Sequence, residues 1–509
     1  MTRTLSARIR SAFADTAALV RFRLMTLRGR GRRNARTGLV VAVLLIVGAA
    51  LLPAWLPEGD PTRVEVAVLI PSAFLGFMLL TTVAAATSGG GRRLLGREEG
   101  VAYPIGPAVD HLGALALAPL NIAWILQAVG LLGIVAYGFG PSWSLVPVQS
   151  VTLLGLLAAT TTAQVLSWTI EWIRRGPGGR WVIRVGAGAC GGVVAWLAWS
   201  GRLGGILDRG DLTKWILITQ LHAASHAWWG WIGGVTALFA LVVGTGLLGA
   251  VVAGRVATRL PRDQARLEST HHRPRPAPRS DVIAMLRIDR ASVWRSVPLR
   301  RGVLTLGALP GGIALAGNME WPTVALLPGL VCSGTALLFG INIWCLDGRG
   351  ALWRETLPVE PVEVFGARTI VLMEVLVMAL LPTLVLAAFR AGRPTTEQAA
   401  AVLCAAGVAI LHVVASCVTS SARTPYVADL GDARATPAPP LAMLRHSARL
   451  TVGTTTIGLI FNGTAHASAS WSLLVALPLI LFSCWRIARA ASAWDDPVVR
   501  SRILTTVAG

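Results

Sequence analysis

Charged residues are scarce in this sequence. Asp, Glu, Lys and Arg make up 14% of its 509 residues, whereas 54% are hydrophobic and the mean hydropathy is +0.63. Soluble globular domains carry about 25% charged residues. The deficit excludes an ordinary soluble domain and indicates a protein whose surface lies largely in lipid.

Lysine is almost absent. Lys214 is the only lysine, in the stretch DRGDLTKW, and no GxxxxGK[ST] sequence occurs. P-loop ATPases, including ATP-binding cassettes, need that lysine because it neutralises the β- and γ-phosphates. The chain is therefore not its own P-loop ATPase, and we expect no ATP site or other cofactor site within it.

The residue patterns of catalytic and metal sites are also missing. The six cysteines form no CxxC pair, and no GxSxG stands in a strand–helix setting. His222 and His226 have the i, i+4 spacing that can hold a metal on one helix face. No third ligand stands nearby, although Asp208 and Asp211 share the same predicted external loop. We therefore predict neither a catalytic site nor a metal site.

Long apolar runs dominate the sequence. A membrane-spanning helix needs about 20 apolar residues, and about twelve runs approach that length. This pattern predicts an all-α polytopic membrane protein with about twelve transmembrane helices. The seventh span contains Pro310, Gly311 and Gly312, so we expect it to be broken or tilted. The predicted spans are residues 38–56, 64–87, 111–137, 147–170, 182–200, 229–254, 302–317, 322–344, 367–389, 398–420, 450–466 and 471–487.

The placement of arginine predicts the orientation. With the N-terminus inside, all but six of the 46 basic residues fall in segments on the inner side. Cytoplasmic loops carry this excess of positive charge. We therefore predict that both termini are cytoplasmic, and the Arg-, Ala- and Gly-rich usage indicates a bacterial cytoplasmic membrane. The net charge of +21 follows membrane topology, so we expect the lipid bilayer, and no nucleic acid, as a partner.

A Pro/Arg-rich segment divides the chain. Residues 255–280 include PRDQARLESTHHRPRPAPRS, which is typical of a linker, between a first half (1–254) and a second half (281–509). Each half opens with a basic segment, residues 6–33 and residues 281–301, whose apolar residues recur at helical spacing. Such segments are typical of amphipathic helices at the membrane surface.

Two charged loops recur at corresponding places. The first charged loop, residues 91–104, reads GRRLLGREEGVAYP, and the second charged loop, residues 348–361, reads GRGALWRETLPVEP. Each lies between the second and third spans of its half. Because each half then has about six spans, the halves would be parallel repeats. A shift of 257 positions aligns Gly91, Arg92, Leu95, Arg97, Glu98 and Pro104 with Gly348, Arg349, Leu352, Arg354, Glu355 and Pro361.

Each charged loop is expected to hold a short helix. Glycine precedes and proline follows the stretches LLGREE and ALWRET, so both helices start and stop locally. Arginine and glutamate enter the bilayer only at a high cost in free energy. These helices must therefore face water, lipid head groups or a protein partner.

A few polar residues fall inside predicted spans. Glu374 lies about two turns into the ninth span, His412 lies near the middle of the tenth, and Asn121 and Asn342 are further polar positions. Such residues often line a substrate path or pair with one another. Glu374 could line a translocation path or pair with a basic group across the two halves. The alternative for all four is an interhelical hydrogen bond.

A basic interfacial helix, six spans and a charged loop between spans two and three resemble half of a type-2 ABC exporter permease. The stretch FGINIWCLDGRGALWRETLPVEPVEVFGAR, residues 339–368, is similar to the fused two-half permeases of bacterial antibiotic exporters. In that family the loop carries a coupling helix that docks on a separate ATPase subunit. The resemblance implies ATPase-coupling roles for Leu95, Arg97, Glu98, Leu352, Arg354 and Glu355. The first charged loop departs from the pattern because it lacks an equivalent of Asp347.

The resemblance implies a transport subunit rather than an enzyme. Two copies of a separate ABC ATPase subunit would bind the ATP, and antibiotic resistance would be the biological context. Spans rich in small residues and poor in charge favour an amphipathic or hydrophobic cargo, whether small molecule, peptide or lipid. Two alternatives remain open. A secondary transporter driven by an ion gradient needs several ionisable residues near the midplane, and a membrane-embedded transferase needs catalytic acids at a membrane face.

Overall fold

The structure is a computed structural model, and it is helical throughout. Helices make up 86% of it, and the described residues contain no strand. The residues that it describes are 5–26, 30–58, 62–68, 70–88, 106–118, 122–202, 211–259, 276–316, 319–427 and 437–508.

The chain divides into two compact units. Unit 1 comprises Met1–Val193 and Leu203–Thr270, and unit 2 comprises Val194–Arg202 and His271–Gly509. Among the described residues the α-helices, in chain order, begin with α1 (Leu5–Thr26), α2 (Arg30–Leu51), α3 (Arg63–Val68), α4 (Ile70–Ser88), α5 (Pro107–Leu117), α6 (Ile122–Phe139), α7 (Leu145–Arg175), α8 (Gly179–Trp199), α9 (Asp211–Ala224) and α10 (Trp228–Ala257). They are followed by α11 (Asp281–Arg295), α12 (Val297–Ala316), α13 (Trp321–Val324), α14 (Leu327–Ala336), α15 (Ala351–Glu355), α16 (Pro361–Ala391), α17 (Thr396–Arg423), α18 (Pro440–Thr464), α19 (Ala469–Asp495) and α20 (Pro497–Ala508).

The core of unit 1 forms around the long helix α7. Helices α4, α9 and α10 pack against α7, while α6 packs against α2. Phe74, Leu156 and Leu238 are among the buried side chains at the centre. Gly155 allows the ring of Phe74 to approach closely, because a Cβ at residue 155 would lie 2.8 Å from that ring. Small residues at such crossings let helices pack tightly without a hydrophobic driving force.

Unit 2 is built in a similar way around α17. Helices α14, α18 and α19 pack against α17, and α12 packs against α16. Two glycines bring α12 onto α16: a Cβ at Gly307 would lie 2.6 Å from the carbonyl oxygen of Ala379, and one at Gly311 would lie 2.8 Å from Cα of Thr383. The packing of these helices therefore depends on side chains being absent at both positions.

Pro310 does not break the seventh predicted span, contrary to expectation. Helix α12 runs continuously from Val297 to Ala316. Proline inside a helix removes a backbone donor and strains the preceding turn. In that turn the carbonyl oxygen of Gly307 accepts a hydrogen bond of 2.6 Å from the hydroxyl of Thr383 in α16. A neighbouring helix thus supplies a donor beside the proline, as membrane proteins commonly do.

Six helical segments among the described residues are long and apolar enough to cross a bilayer. These segments support the prediction of a helical membrane protein. The other predicted spans lie largely on helices that are shorter or less apolar, so the count of twelve stays a prediction. The six segments are Leu145–Arg175, Trp228–Ala257, Trp321–Leu346, Pro361–Phe389, Thr396–Arg423 and Ala469–Asp495.

A buried helix lies where the sequence predicts an external loop. Residues 211–224 form α9, whose Ile216, Gln220 and Ala223 are buried. The amide of Gln220 donates to the hydroxyl of Thr152 in α7 at 3.0 Å. The side chain of Gln220 therefore has a hydrogen-bond partner in α7, inside unit 1. By contrast, most side chains of α8 beyond residue 180 are exposed.

Candidate functional site

The second charged loop holds the short helix α15. A 3₁₀ turn over Gly348–Gly350 leads into it, and Gly348 adopts a positive φ of 50° that favours glycine. Helix α16 begins at Pro361, where a missing backbone N–H costs nothing. The glycine and proline that flank the loop in the sequence therefore mark where α15 and α16 begin.

A fully buried ion pair joins α11 to α16 behind this loop. Arg368 donates to the carboxylate of Asp289 from both Nε and Nη2, each at 2.9 Å. Neither side chain has any exposed surface. Two parallel hydrogen bonds match the planar guanidinium to the carboxylate. The guanidinium of Arg368 also lies 5.5 Å from the ring centre of Trp344.

Two further residues of the loop region complete a neutral cluster. Asp347 accepts from Arg368 at 2.8 Å and from Arg354 at 3.0 Å, and Arg354 also donates to Asp289 at 2.6 Å. We call Asp289, Asp347, Arg354 and Arg368 the ion cluster. Its two carboxylates balance its two guanidinium groups, which is the condition under which charges can be buried.

The ion cluster keeps Asp289 ionised. Burial alone would raise the pKa of Asp289, but the charges of Arg368 and Arg354 and the hydrogen bonds they donate lower that pKa below its ordinary value. Removing one member would leave a buried charge without a partner, at a cost of about 3–5 kcal/mol. The ion cluster therefore fixes α11, α15 and α16 in one arrangement.

The C-terminal helix α20 holds α15 from the other side. Nε of Arg500 donates to Glu355 at 2.7 Å. Just before α20, at the end of α19, the ring of Trp494 stacks on Trp344, with ring centres 3.6 Å apart and planes 6° from parallel. The indole N–H of Trp494 also donates to the carbonyl oxygen of Pro361 at 3.0 Å. The C-terminal end of α15 is thus held by the ion cluster through Arg354 and by α20 through Glu355.

A cavity of about 230 Å³ lies between the loop and α20. The charged groups that line it are Asp347, Arg354, Glu355 and Arg500, and each of them already has a partner of opposite charge. The cavity therefore offers no surplus charge to a ligand.

The outer face of α15 is apolar and exposed. Leu352 is 51% exposed and Trp353 is 78% exposed, and Leu357 follows at 41%. Exposed tryptophan and leucine on a rigid element are typical of contact surfaces. The arrangement presents a small apolar surface on a helix that the ion cluster and α20 hold in place, and we call Leu352, Trp353 and Leu357 the apolar face.

Several predicted site residues lie outside the described residues. They are Leu95, Arg97 and Glu98 of the first charged loop, together with Asn121. Their predicted roles therefore stay predictions.

The second charged loop divides its predicted residues between two faces. Leu352 faces outward, whereas Arg354 is directed into the ion cluster with 9% of its side chain exposed. Glu355 is accessible but bound by Arg500. In this structure Arg354 therefore holds the loop, and the neighbouring side chain that is most available to a partner is Trp353.

Glu374 pairs with a basic residue of its own unit. Nε of Arg290, in α11, donates to it at 2.8 Å, and Nη2 donates to its other oxygen. The hydrogen bond to Glu374 raises the pKa of Arg290, outweighing a small effect of burial. Glu374 therefore makes an interhelical hydrogen bond, and its basic partner lies in the same half of the chain rather than in the other half. A role in a translocation path stays a prediction.

Asn342 donates hydrogen bonds to the backbone, and His412 packs closely against a glycine. Nδ2 of Asn342 donates to the carbonyl oxygens of Tyr426 and Pro437 at 2.7 and 3.1 Å. His412 packs against Gly453, where a Cβ would lie 2.6 Å from its Nε2. Asn342 thereby ties a loop to the 3₁₀ segment in which it lies.

Sequence reasoning missed Asp289 and Arg368 as partners. Arg368 lies six residues before Glu374, which places the two on different helix faces, and its actual partners are 79 and 21 residues away. One signal was present: Asp289 stands between Met285 and Val293 at spacings of four, so an acid interrupts the buried stripe of α11. A buried acid on such a stripe requires a basic partner.

Unit 1 has a neutral histidine where unit 2 has Arg368. At the shift of 257 positions, His111 aligns with Arg368. Nδ1 of His111 accepts from the indole of Trp168 at 3.1 Å, and its Nε2 lies 3.0 Å from the carbonyl oxygen of Gly246. This pattern requires the proton on Nε2 and leaves the ring uncharged. The two units therefore satisfy the aligned buried position by different chemistry.

Comparison with known proteins identifies no family, because no family model, curated protein or solved structure matches the chain. Among the described residues, no group of three or more His, Cys, Asp or Glu side chains could hold a metal ion.

Proposed function

We propose that this chain is the membrane permease subunit of an ABC-type exporter and that α15 is one of its coupling helices. The observation that carries the proposal is the apolar face of α15, displayed on a short helix that is fixed from behind. A coupling element has to be rigid toward its own domain and accessible to its partner, and α15 meets both conditions.

Rigidity is what would make α15 able to transmit force. The ion cluster ties α15 to α11 and α16, and α16 continues as an apolar helix long enough to span the bilayer. A displacement of α15 would therefore move α16 with it, because breaking the ion cluster costs several kcal/mol. This path would carry work from an outside ATPase into the membrane helices.

The packing order within each unit supports the proposed repeat. In unit 1, α7 contacts α4, α9 and α10, and in unit 2, α17 contacts α14, α18 and α19 in the same chain order. The pairs α2–α6 and α12–α16 also correspond. In this alignment α9, rather than α8, takes the fifth place of the first repeat. Two parallel repeats of about six helices would present two coupling loops on the cytoplasmic side, and so dock two ATPase copies.

The proposed cargo is amphipathic or hydrophobic, and transport is proposed to be outward. Many side chains of α10 and α19 are apolar and exposed, so these helices contact lipid or lipid-like molecules. The membrane is proposed to be the bacterial cytoplasmic membrane, with both termini inside.

The test uses the full chain co-expressed with candidate ABC ATPases from the same genome. We compare the wild type with a variant carrying Leu352→Glu and Trp353→Glu, and measure the ATPase that co-purifies and its rate of ATP hydrolysis. A tryptophan at the centre of an interface, where hot spots lie, contributes about 2 kcal/mol or more. We therefore expect at least a tenfold loss of complex formation, with the thermal unfolding temperature unchanged because both side chains are exposed.

Trp143→Glu is the matched control. Trp143 is 98% exposed and lies in a loop predicted to be external, so its replacement should leave ATPase binding intact. Equal ATPase binding and hydrolysis by wild type and the Leu352/Trp353 variant would overturn the coupling assignment. Transport in vesicles that needs an ion gradient and no ATP would instead support the secondary-transporter alternative.

A further inference from the structure

Three arginines on neighbouring helices of unit 2 form a patch of positive charge. Arg423 is the last residue of α17, Arg449 lies in the third turn of α18, and Arg486 lies in the second half of α19. Arg423 and Arg449 are exposed, and Arg486 is half-buried. We call these three residues the cationic patch.

Helix contacts bring the cationic patch together. Nη1 of Arg486 donates to the hydroxyl of Ser416 in α17 at 3.3 Å, which places the arginine between α19 and α17. On α18, Nε2 of His446 lies 3.9 Å from Sγ of Cys417, one residue further along α17. Arg449 follows His446 by about one turn. His412 of α17 also packs against Gly453 of α18, so these two helices run antiparallel. Arg449 and Arg486 therefore lie near the level of Ser416, and Arg423 lies about two turns further along α17.

The cationic patch has no counter-charge in the described part of the chain. Arg423 and Arg449 both repel Arg486, and no carboxylate there lies within ion-pair distance of any of the three. This differs from the ion cluster, whose charges cancel. Unbalanced charge on apolar helices is costly in lipid. An anion bound beside the three arginines would remove that cost.

Apolar aromatic surface lies beside the cationic patch. The guanidinium of Arg486 lies 5.9 Å from the ring centre of Phe482, and that of Arg489 lies 5.6 Å from the ring centre of Trp485. The two rings stack with centres 5.8 Å apart, and each is 53% exposed. The surface of α19 thus offers positive charge next to an exposed apolar strip.

We propose that the cationic patch binds the anionic head group of an amphiphile whose hydrocarbon tail lies along Phe482 and Trp485. The orientation rests on the proposed function, in which Arg423 is at the cytoplasmic end of its span. Basic pockets between helices on the cytoplasmic side bind phosphate-bearing lipid head groups. Two sources share this chemistry: an anionic lipid of the bilayer, or an anionic amphipathic cargo entering from the inner leaflet.

The test measures lipid binding to the purified full chain and needs no ATPase. The probe is phosphatidylglycerol, with phosphatidylcholine as the neutral reference. Lipid adducts are counted by native mass spectrometry, and the thermal unfolding temperature is followed by tryptophan fluorescence. We expect phosphatidylglycerol to bind and stabilise the wild type more than phosphatidylcholine does. Arg486→Gln should weaken phosphatidylglycerol binding about tenfold, since a hydrogen bond to a charged group contributes about 1.5–3 kcal/mol.

A matched control separates the cationic patch from general electrostatic attraction. The test variant carries Arg423→Gln, Arg449→Gln and Arg486→Gln. The control carries Arg184→Gln, Arg300→Gln and Arg393→Gln, which removes the same charge at exposed sites elsewhere. Loss of binding in the test variant alone supports the proposal. Equal binding by wild type and the test variant, or equal losses in both variants, would overturn it.

Competition distinguishes the two sources. Dodecyl phosphate has the same head-group charge and a single short tail. Displacement of bound phosphatidylglycerol by dodecyl phosphate would support an exchangeable site suited to cargo, and retention would support a resident bilayer lipid. Both results require the cationic patch and are independent of ATPase coupling. If the ATPase-coupling experiment fails, the lipid-binding proposal is unaffected. If the lipid-binding experiment fails, the coupling assignment is unaffected.

Discussion

Arg368 and Asp289 form a two-fold hydrogen-bonded ion pair between α16 and α11 that is closed to solvent on every side. The pair joins an amphipathic helix outside the predicted spans to a helix long enough to cross the bilayer. Together with Asp347 and Arg354, it determines where α15 lies. Buried ion pairs therefore hold α15 in the position in which its apolar face is accessible.

The first prediction concerns the loss of Arg368. Arg368→Leu leaves Asp289 and Asp347 with only Arg354, so a buried negative charge lacks a partner. We expect destabilisation of about 3–5 kcal/mol, measured as a lower thermal unfolding temperature in detergent. Arg368→Lys keeps the charge but loses the planar fork, so its effect should be intermediate. An Arg368→Leu variant as stable as the wild type would contradict the role of the ion cluster.

The second prediction is a dependence on pH through Asp289. Its pKa is lower in the folded protein than in the unfolded chain, so the folded state binds fewer protons at acidic pH. The stabilisation is complete above the unfolded value of about 3.9 and is lost as the pH falls through the folded value. Asp289→Asn should be less stable than the wild type at pH 7, and this difference should shrink below about pH 4. Thermal unfolding from pH 7 to pH 3 measures it, and a constant difference would refute the assignment.

The third prediction tests the contact between α15 and α20. Glu355→Arg places two arginines together, and adding Arg500→Glu restores the pair with its charges exchanged. Glu355 is 45% exposed, so the cost in stability should stay within about 1 kcal/mol. We expect faster hydrogen exchange in α15 and α20 for Glu355→Arg and recovery in the double variant. Unchanged exchange in the single variant would show that Arg500 does not hold α15.

The fourth prediction concerns the histidine network of unit 1. A Cβ at Gly249 would lie 2.3 Å from Cε1 of His111, whereas one at Gly244 in the same helix meets no atom within 4 Å. Gly249→Ala should destabilise the protein by about 1–3 kcal/mol through overpacking. Gly244→Ala, the control, should be neutral or stabilising by about 0.5–1 kcal/mol because alanine favours helix. Similar unfolding temperatures for the two variants would argue against the close packing of His111.

Much of the helical architecture can be predicted from the sequence because lipid imposes simple rules. Apolar length and the scarcity of charge predict spanning helices, since backbone groups in hydrocarbon must be bonded within the helix. Glycine before the stretch ALWRET and proline after it predict a short helix there, and α15 spans Ala351–Glu355. The amphipathic spacing of residues 281–301 likewise predicts a helix there, although α11 ends at Arg295 and α12 begins at Val297.

The structure differs from the sequence-based predictions in segments where a neighbouring helix provides a hydrogen-bond partner. Pro310 is a helix breaker in the sequence, yet Thr383 donates to the turn that the proline weakens. Residues 211–224 look too polar for a core helix, yet Gln220 bonds to Thr152 inside it. In both cases the hydrogen bond joins residues that are far apart in the chain.

The sequence by itself determined a helical, apolar chain with a charged loop at residues 348–361 that could not enter lipid. Only the tertiary structure decided which charges of that loop are available. Arg354 and Glu355 are adjacent in sequence, but Arg354 is enclosed by two aspartates while Glu355 remains at the surface with Arg500. The partners of a buried charge are set by packing between helices that are far apart in the sequence. The spacing of neighbouring residues therefore does not predict them.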